Sequence, residues 1–488
     1  MKTYNGIERL PRNYTTMTDE YEFTMGTGYL LSNKKDEEAV FDIFFRKVPN
    51  DGGYAVMAGI DKLIPFIENL KFDEGELDYF RSAGYPKEFV DYLKNFKFTG
   101  TITAVPDGTP VFPNEPLVTI KAPIIEAQIL ETAVLSIING AMEHATGARR
   151  IIEAVPKGVG VMEFGSRRAD GCEAAIDAAI YGMMAGCVGT SNIMAARMVN
   201  KKAMGTMAHS WIESFDRELD AFIAYAKIYP NNCILLVDTF DTLKSGIPNA
   251  IETFKYMESH GLPLDHIGIR IDSGKLSYLS KEARRMLNEA GFPQAKICLS
   301  NGLNAKSIKA LIDEGACFDS LGVGDNISKP EGRMGCVDKE VELNGVPKIK
   351  LSNDTIKIVN PGHKILYRAF DKDTGYAIAD IMTRQGEIIT NDDIIIVSPT
   401  DYLKRRRINN FELVELQQPI FIDGHLVYDD PELDIKRAYC NAEMSKLYPE
   451  VKAEEDPYQY HVSGTENYVK FKNELIEKEK RLVLGRSA

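Results

Sequence analysis

Residues 233–275 read CILLVDTFDTLKSGIPNAIETFKYMESHGLPLDHIGIRIDSGK. Two short apolar runs, CILLVD and IGIRID, each end on an aspartate, and the segment between them has the apolar spacing of a helix. A strand, a helix and a second strand in that span predict a βα unit of a parallel sheet or barrel. Four strand-like runs begin near 233, 266, 296 and 318, so their spacings of 33, 30 and 22 residues fit that unit. Upstream, VGVMEF (159–164), VGTSN (188–192) and GTMAHS (205–210) each precede a helical segment, the last predicted at 210–228.

The unusual polar residues fall at the ends of these runs. Phe164, Arg167 and Arg168 follow the first, and Ser191 and His209 stand at the next two corners. Asp238, Arg270, Asp272, Ser300, Asn301, Gly322, Gly324 and Asp325 close the others. In a βα barrel the C-terminal strand ends converge on one face, where such folds build their sites. The predicted fold class is α/β: an irregular βα (TIM-like) barrel over 146–335. A sandwich-like α/β domain is predicted from 1–145, completed by about 336–430, with a helical extension over 431–488. After 330 the alternation stops, and runs such as KILYRAF and EIITNDDIIIVS are separated by Gly, Asn and Asp turns.

Composition narrows the class. A hydrophobic share of 44% and a charged share of 26% in 488 residues are ordinary for a globular protein with a large core. With 58 Lys and Arg against 71 Asp and Glu, the net charge of −13 argues against a nucleic-acid partner. Seven scattered cysteines without a C-x-x-C pair predict buried reduced thiols and no zinc site. The stretch IIEAQILETAVLSIINGAM (124–142) carries Glu126 and Glu131 and predicts a buried helix, with no membrane span. The first residues lack an apolar core segment, so no secretory signal is expected and the predicted location is cytoplasmic.

Each constellation has two readings. FGSRR (164–168) offers an aromatic face and two guanidiniums to a flat anion, or simply two solvated arginines. IRIDSG (269–274) puts Arg270 and Asp272 on one strand face, for a phosphosugar or for a buried ion pair. LSNGL and LGVGDN are glycine-bearing turns before helix starts, suited to phosphate or merely to tight turns. His209 is a structural corner residue, or a base or phosphoryl acceptor. Together they predict an enzyme for a phosphorylated sugar and a flat anionic ring.

The motifs, taken in order, resemble those of the nicotinate phosphoribosyltransferase family. The resemblance runs through TDEYEFTMG (18–26), EFGSRRADG (163–171), GTSN, GTMAHSW, IRIDSG, LSNGL, GVGDN and PGHKILYRAFD (361–371). It implies conversion of nicotinate and 5-phosphoribosyl-1-pyrophosphate to nicotinate mononucleotide and pyrophosphate, the first step of NAD salvage from nicotinate. ATP as co-substrate, Mg²⁺ and a homodimer with shared sites are implied with it. Phe164 and Tyr21 would sandwich the pyridine ring, Tyr21 coming from the other subunit. Arg167 would hold an anionic group, and Arg270 and Asp272 would face the phosphoribosyl moiety, Asp272 also facing Mg²⁺. Asn301, Gly302, Gly322 and Gly324 would cradle the 5-phosphate, and His209 would be phosphorylated by ATP. Ser191 and Arg168 favour the acid substrate, since amide-using relatives carry Asp and Gly there. Lys275 stands where the family commonly has an acid, and GVGDN where GVGTN is usual. The rivals are nicotinamide phosphoribosyltransferase and a non-catalytic phosphosugar-binding paralogue.

Overall fold

The computed structural model describes residues 14–351, 358–390 and 393–484, and the backbone of 3–4 and 7–8. The chain divides into two units, Gly147–Glu331 and the two chain ends, Met1–Thr146 with Gly332–Ala488.

In the middle unit the apolar runs form β1 (Gly160–Glu163), β2 (Gly189–Thr190), β3 (Cys233–Leu236), β4 (Ile267–Ile271), β5 (Lys296–Ser300) and β6 (Ser320–Val323). All pair in parallel, in the order β3-β4-β5-β6-β1-β2. Val161, Leu235, Ile269, Ile271, Leu299 and Leu321 are buried, as expected of strands covered by helices. The connecting helices begin where side chains can replace missing intrahelical partners. Asn192 caps Ile193–Met198, and Asn304 forms a capping box with Ser307 before Ala305–Asp313.

The sheet falls short of confirming the irregular TIM-like barrel expected. The sheet is an open, curled parallel half-barrel with β2 and β3 as its edges, and among the described residues no strand bridges them. GTMAHS was expected to be a short β-rich run before a helix. Its segment instead runs irregularly, joined to β2 by a bond from Met204 N–H to Thr190 O at 2.8 Å. One glycine and three polar residues leave the run too few apolar side chains to hold a buried strand. The helix expected over 210–228 is also divided, into His209–Glu213 and Glu218–Ile228, because Arg217 is extended (φ −134°, ψ 138°). Trp211 closes the break, its Nε1–H donating to Ala221 O at 3.1 Å and its ring lying 5.0 Å from Phe215.

In the other unit the two ends of the chain share one sheet. Cys336–Leu343 pairs antiparallel with Glu38–Phe45, which pairs with Val118–Pro123 in a seven-stranded sheet. A six-stranded sheet holds Lys364–Asp371 and Ala377–Arg384, and Val462–Thr465 pairs parallel with the latter. Residues after 431 therefore supply a sheet strand as well as the helices Leu433–Ser445 and Glu466–Leu484. Cys187, Cys233, Cys298, Cys336 and Cys440 are buried, whereas Cys172 is exposed at a helix start and Cys317 is half-buried. Burial pushes the thiols of Cys233 and Cys336 up to about 12. Among the described residues no helix is long and apolar enough to cross a membrane.

Arg368 is the largest fully buried side chain. It meets Asp380 bidentately, Nε to Oδ1 at 2.8 Å and Nη2 to Oδ2 at 2.6 Å, and donates to Pro110 O at 2.8 Å. Asp380→Asn leaves that guanidinium short of charge compensation in a dry site. We expect a loss of roughly 3 kcal/mol in unfolding free energy by denaturant titration. An unchanged midpoint would show that Glu115, also close to Arg368, compensates the charge alone.

Candidate active site

Because the six strands are parallel, their C-terminal ends open on one side. A cavity of ≈ 450 Å³ lies there, lined by residues from the end of every strand. Phe164, Arg167 and Arg168 come from the turn after β1 and Ser191 from the turn after β2. Arg270 and Asp272 come from the end of β4, Asn301 and Gly302 from that of β5, Gly322 and Gly324 from β6, and His209 from the break between β2 and β3.

Arg270 is the hub. Its Nε–H donates to Ser300 Oγ at 2.8 Å, Nη1 to Thr206 Oγ1 at 3.3 Å and Nη2 to Asp272 Oδ1 at 2.9 Å. Ser300 also donates to Asp272 Oδ1, so hydroxyl, guanidinium and carboxylate form a closed triangle. Asp238 fixes the turn behind it, its Oδ2 accepting from Asp272 N–H at 3.1 Å and Ser273 Oγ–H at 2.5 Å. The Arg270 guanidinium lies 5.5 Å from the centre of the Phe164 ring. The two readings of IRIDSG are therefore both realised: Arg270 and Asp272 form an ion pair, and they face the cavity.

Phe164 can lie where it does because Gly322 has no side chain. A Cβ at Gly322 would stand 2.5 Å from Phe164 Cδ2 and 2.6 Å from Cε2. Gly322→Ala should therefore displace the ring and cost about 1–3 kcal/mol by overpacking, read as a lowered melting temperature. A wild-type melting temperature in that variant would mean the ring yields without strain. Beneath the ring, buried Glu163 accepts from Gly165 N–H and from Thr190 Oγ1–H at 2.5 Å, and burial raises its carboxyl above the usual range. This bridge ties the turn after β1 to β2, and Ser191 N–H donates to Glu163 O at 3.0 Å.

At the far side the backbone turns sharply. Asn301 (φ 103°) and Gly302 (φ 59°) lie in the left-handed region just before the helix Ala305–Asp313. Gly324 precedes the short helix Asp325–Ser328. Arg168 pairs with Asp325 at 3.3 Å, while Arg167 is exposed and has no ion-pair partner among the described residues. Three arginines against Asp272 and Asp325 leave the lining one charge positive (3 − 2 = +1), in a chain that is acidic as a whole. His209 opens its short helix, and its Nδ1 lies 3.1 Å from Thr239 Oγ1.

Tyr21 is not among the lining residues. It belongs to the unit built from the chain ends, on the helix Glu20–Leu31, and is 43% exposed. Burial and the neighbouring Glu131 raise its phenol. Ser166 and Thr206 line the cavity and carried no sequence signal beyond hydroxyls next to a strand-end motif. Ser300, Asp238 and Asp325 were visible at strand ends without an assigned role; contacts of Ser300 with Arg270, of Asp238 with Asp272 and Ser273, and of Asp325 with Arg168 supply one.

Models of the nicotinate phosphoribosyltransferase N-terminal domain, family and C-terminal domain match residues 16–139, 159–374 and 363–472. A nicotinate phosphoribosyltransferase of Bacillus subtilis (strain 168) is 36% identical over 458 residues, covering 92% of each chain. This chain belongs to the nicotinate phosphoribosyltransferase family. It is thereby an enzyme of the phosphoribosyltransferase class. A nicotinate phosphoribosyltransferase of Dictyostelium discoideum is 32% identical over 508 residues, covering 92% of this chain and 86% of that one. The crystal structure of human nicotinic acid phosphoribosyltransferase shares the fold, with a TM-score of 0.82 and 25% identity, over 94% of this chain and 100% of that one. The nicotinate-nucleotide pyrophosphorylase of Pyrococcus furiosus is alike in fold alone, with a TM-score of 0.69 at 22% identity over 90% of this chain and 98% of that one.

Proposed function

We propose that this chain joins nicotinate to the ribose of 5-phosphoribosyl-1-pyrophosphate, releasing pyrophosphate. The product, nicotinate mononucleotide, would be the first intermediate of NAD salvage from nicotinate, and the enzyme would act in the cytoplasm. The observation that carries the proposal is a single cavity combining the Phe164 face, the Arg270–Asp272–Ser300 triangle and the turns at 301–302 and 322–324. Phe164 stacks the pyridine ring, and Ser191 and Arg168 meet its carboxylate. Arg167 binds pyrophosphate, and the backbone at Asn301, Gly302, Gly322 and Gly324 receives the 5-phosphate. Tyr21 of a second copy covers the ring's other face, in a homodimer.

In the reaction the pyridine nitrogen lone pair bonds to ribose C1 as the C1–O bond breaks, and the electron pair leaves with pyrophosphate. Positive charge grows on the ribose in between. The Asp272 carboxylate, held in place by Arg270 and Ser300, is the negative group placed to stabilise it. Among the described residues no cluster of three or more acidic, His or Cys side chains could hold a metal. Asp272 is the carboxylate that would hold a Mg²⁺ accompanying pyrophosphate, a cation bound through one or two carboxylates and substrate phosphates. When bound it would neutralise charge on the leaving group.

We also propose that ATP hydrolysis is coupled to the transfer through a phosphohistidine at His209, which faces the same cavity. Purified protein incubated with nicotinate, phosphoribosyl pyrophosphate and Mg·ATP should form nicotinate mononucleotide. No product at any enzyme level, with retained ligand-induced thermal stabilisation, would favour the silent paralogue instead. Nicotinate should outpace nicotinamide, because a serine hydroxyl donates to a carboxylate where an aspartate would repel it. Ser191→Asp should lower kcat/KM for nicotinate by roughly tenfold or more, as loss of one hydrogen bond to a charged group implies. Equal turnover of both bases by the wild type would reject the acid-specific reading.

A further inference from the structure

The imidazole of His209 meets Thr239 through one of its two nitrogens. Nδ1 lies 3.1 Å from the Thr239 hydroxyl. His209 lines the cavity, and Thr239 does not. Nε2, on the opposite edge of the ring, has no protein partner among the described residues. Thr239 stands on a fixed turn, since the preceding Asp238 is tied to Asp272 N–H and to Ser273. As a β-branched residue it also has a restricted χ1, which limits the positions its hydroxyl can take.

We infer that Thr239 is a positioning residue that holds His209 as the Nδ1–H tautomer and so makes Nε2 the phosphoryl acceptor. The inference rests on the phosphohistidine reading above and specifies its chemistry. A hydroxyl can donate to an imidazole nitrogen or accept from it. If Thr239 donated to Nδ1, Nε2 would carry the proton and present no lone pair to a ligand in the cavity. With Nδ1–H donating to Thr239 Oγ1, the Nε2 lone pair is available. It then attacks the γ-phosphorus of ATP: the Nε2–P bond forms, the P–O bond to ADP breaks, and ADP leaves with the electron pair. The proton stays on Nδ1, shared with Thr239, and the ring carries one positive charge against the doubly negative phosphoryl group.

The test combines regiochemistry with two variants of the full-length enzyme. Long-range ¹H–¹⁵N correlation spectra of ¹⁵N-histidine-labelled enzyme should show His209 with its proton on Nδ1. Phosphorus NMR of the enzyme phosphorylated by Mg·ATP should place the phosphoryl group on Nε2. Thr239→Val, which keeps shape and loses the hydroxyl, should slow acid-labile labelling from [γ-³²P]ATP roughly tenfold and mix the two tautomers. Thr239→Ser should restore labelling to within about twofold and restore the Nδ1–H tautomer, which mere repair of packing would not do. A phosphoryl group on Nδ1 overturns the inference, as does wild-type labelling of Thr239→Val; either result leaves the phosphohistidine intact. Absence of any label on the wild type removes the phosphohistidine reading itself, and this inference with it. Should the valine variant not fold, the regiochemistry of the wild type and the tautomer in Thr239→Ser still decide.

Discussion

Asp272→Asn is expected to lower kcat/KM for nicotinate mononucleotide synthesis by about 10²–10³-fold, the size expected when one preorganised charge facing a transition state is removed. The substitution keeps the shape of the side chain and an oxygen able to accept from Ser300 or Arg270. What it removes is the negative charge that balances Arg270 at 2.9 Å and that, in the proposed reaction, would face the ribose as its C1–O bond breaks. The loss should fall mainly on kcat, because the charge matters more in the transition state than in the bound substrate. The side chains of Asp272 and Arg270 are 25% and 16% exposed, so partial hydration limits the structural cost of unpairing them. Melting temperature should therefore move little. If kcat held and only KM rose, Asp272 would be a binding residue, and the ribosyl cation would need another counter-charge.

His209→Ala should abolish acid-labile incorporation of phosphate from [γ-³²P]ATP, a drop of at least about 10³-fold as expected for loss of a nucleophile. With it, the ratio of synthesis rates with and without ATP should fall to one. Alanine removes no core packing, since the imidazole is only half-buried and opens a short helix at the cavity wall. Wild-type labelling in this variant would move the phosphoryl acceptor to another residue and leave the phosphoribosyl site as described.

The histidine illustrates how far each level of description reaches. Its place among strand-end polar residues was visible from the order of the motifs, and so were Arg270, Asp272 and the glycine turns. Parallel strands separated by helices must all end on one edge, so linear order carried spatial information. The run GTMAHS did not. With Met207 and Ala208 as its only apolar side chains, GTMAHS has too little apolar content to say whether it joins a sheet, and the structure leaves β2 and β3 as the edges of theirs. The triangle of Arg270, Asp272 and Ser300 was likewise half visible. Ser300 sits 28 residues from Asp272, and only the register of β4 against β5 brings them together. Gly322 looked like a phosphate-turn glycine, whereas its contact with Phe164 shows that it also clears room for an aromatic ring.

What the sequence by itself determined was the alternation of buried runs and helices in the middle of the chain, the face on which its polar residues gather, and the family. These follow from local apolar periodicity and motif order, which need no knowledge of distant contacts. What only the tertiary structure decided was that the sheet stays open, that both chain ends share one antiparallel sheet, and which hydroxyl stands behind His209. Each of these depends on pairings between residues far apart in the chain. Such pairings are selected by the packing of the whole unit, and no local pattern encodes them.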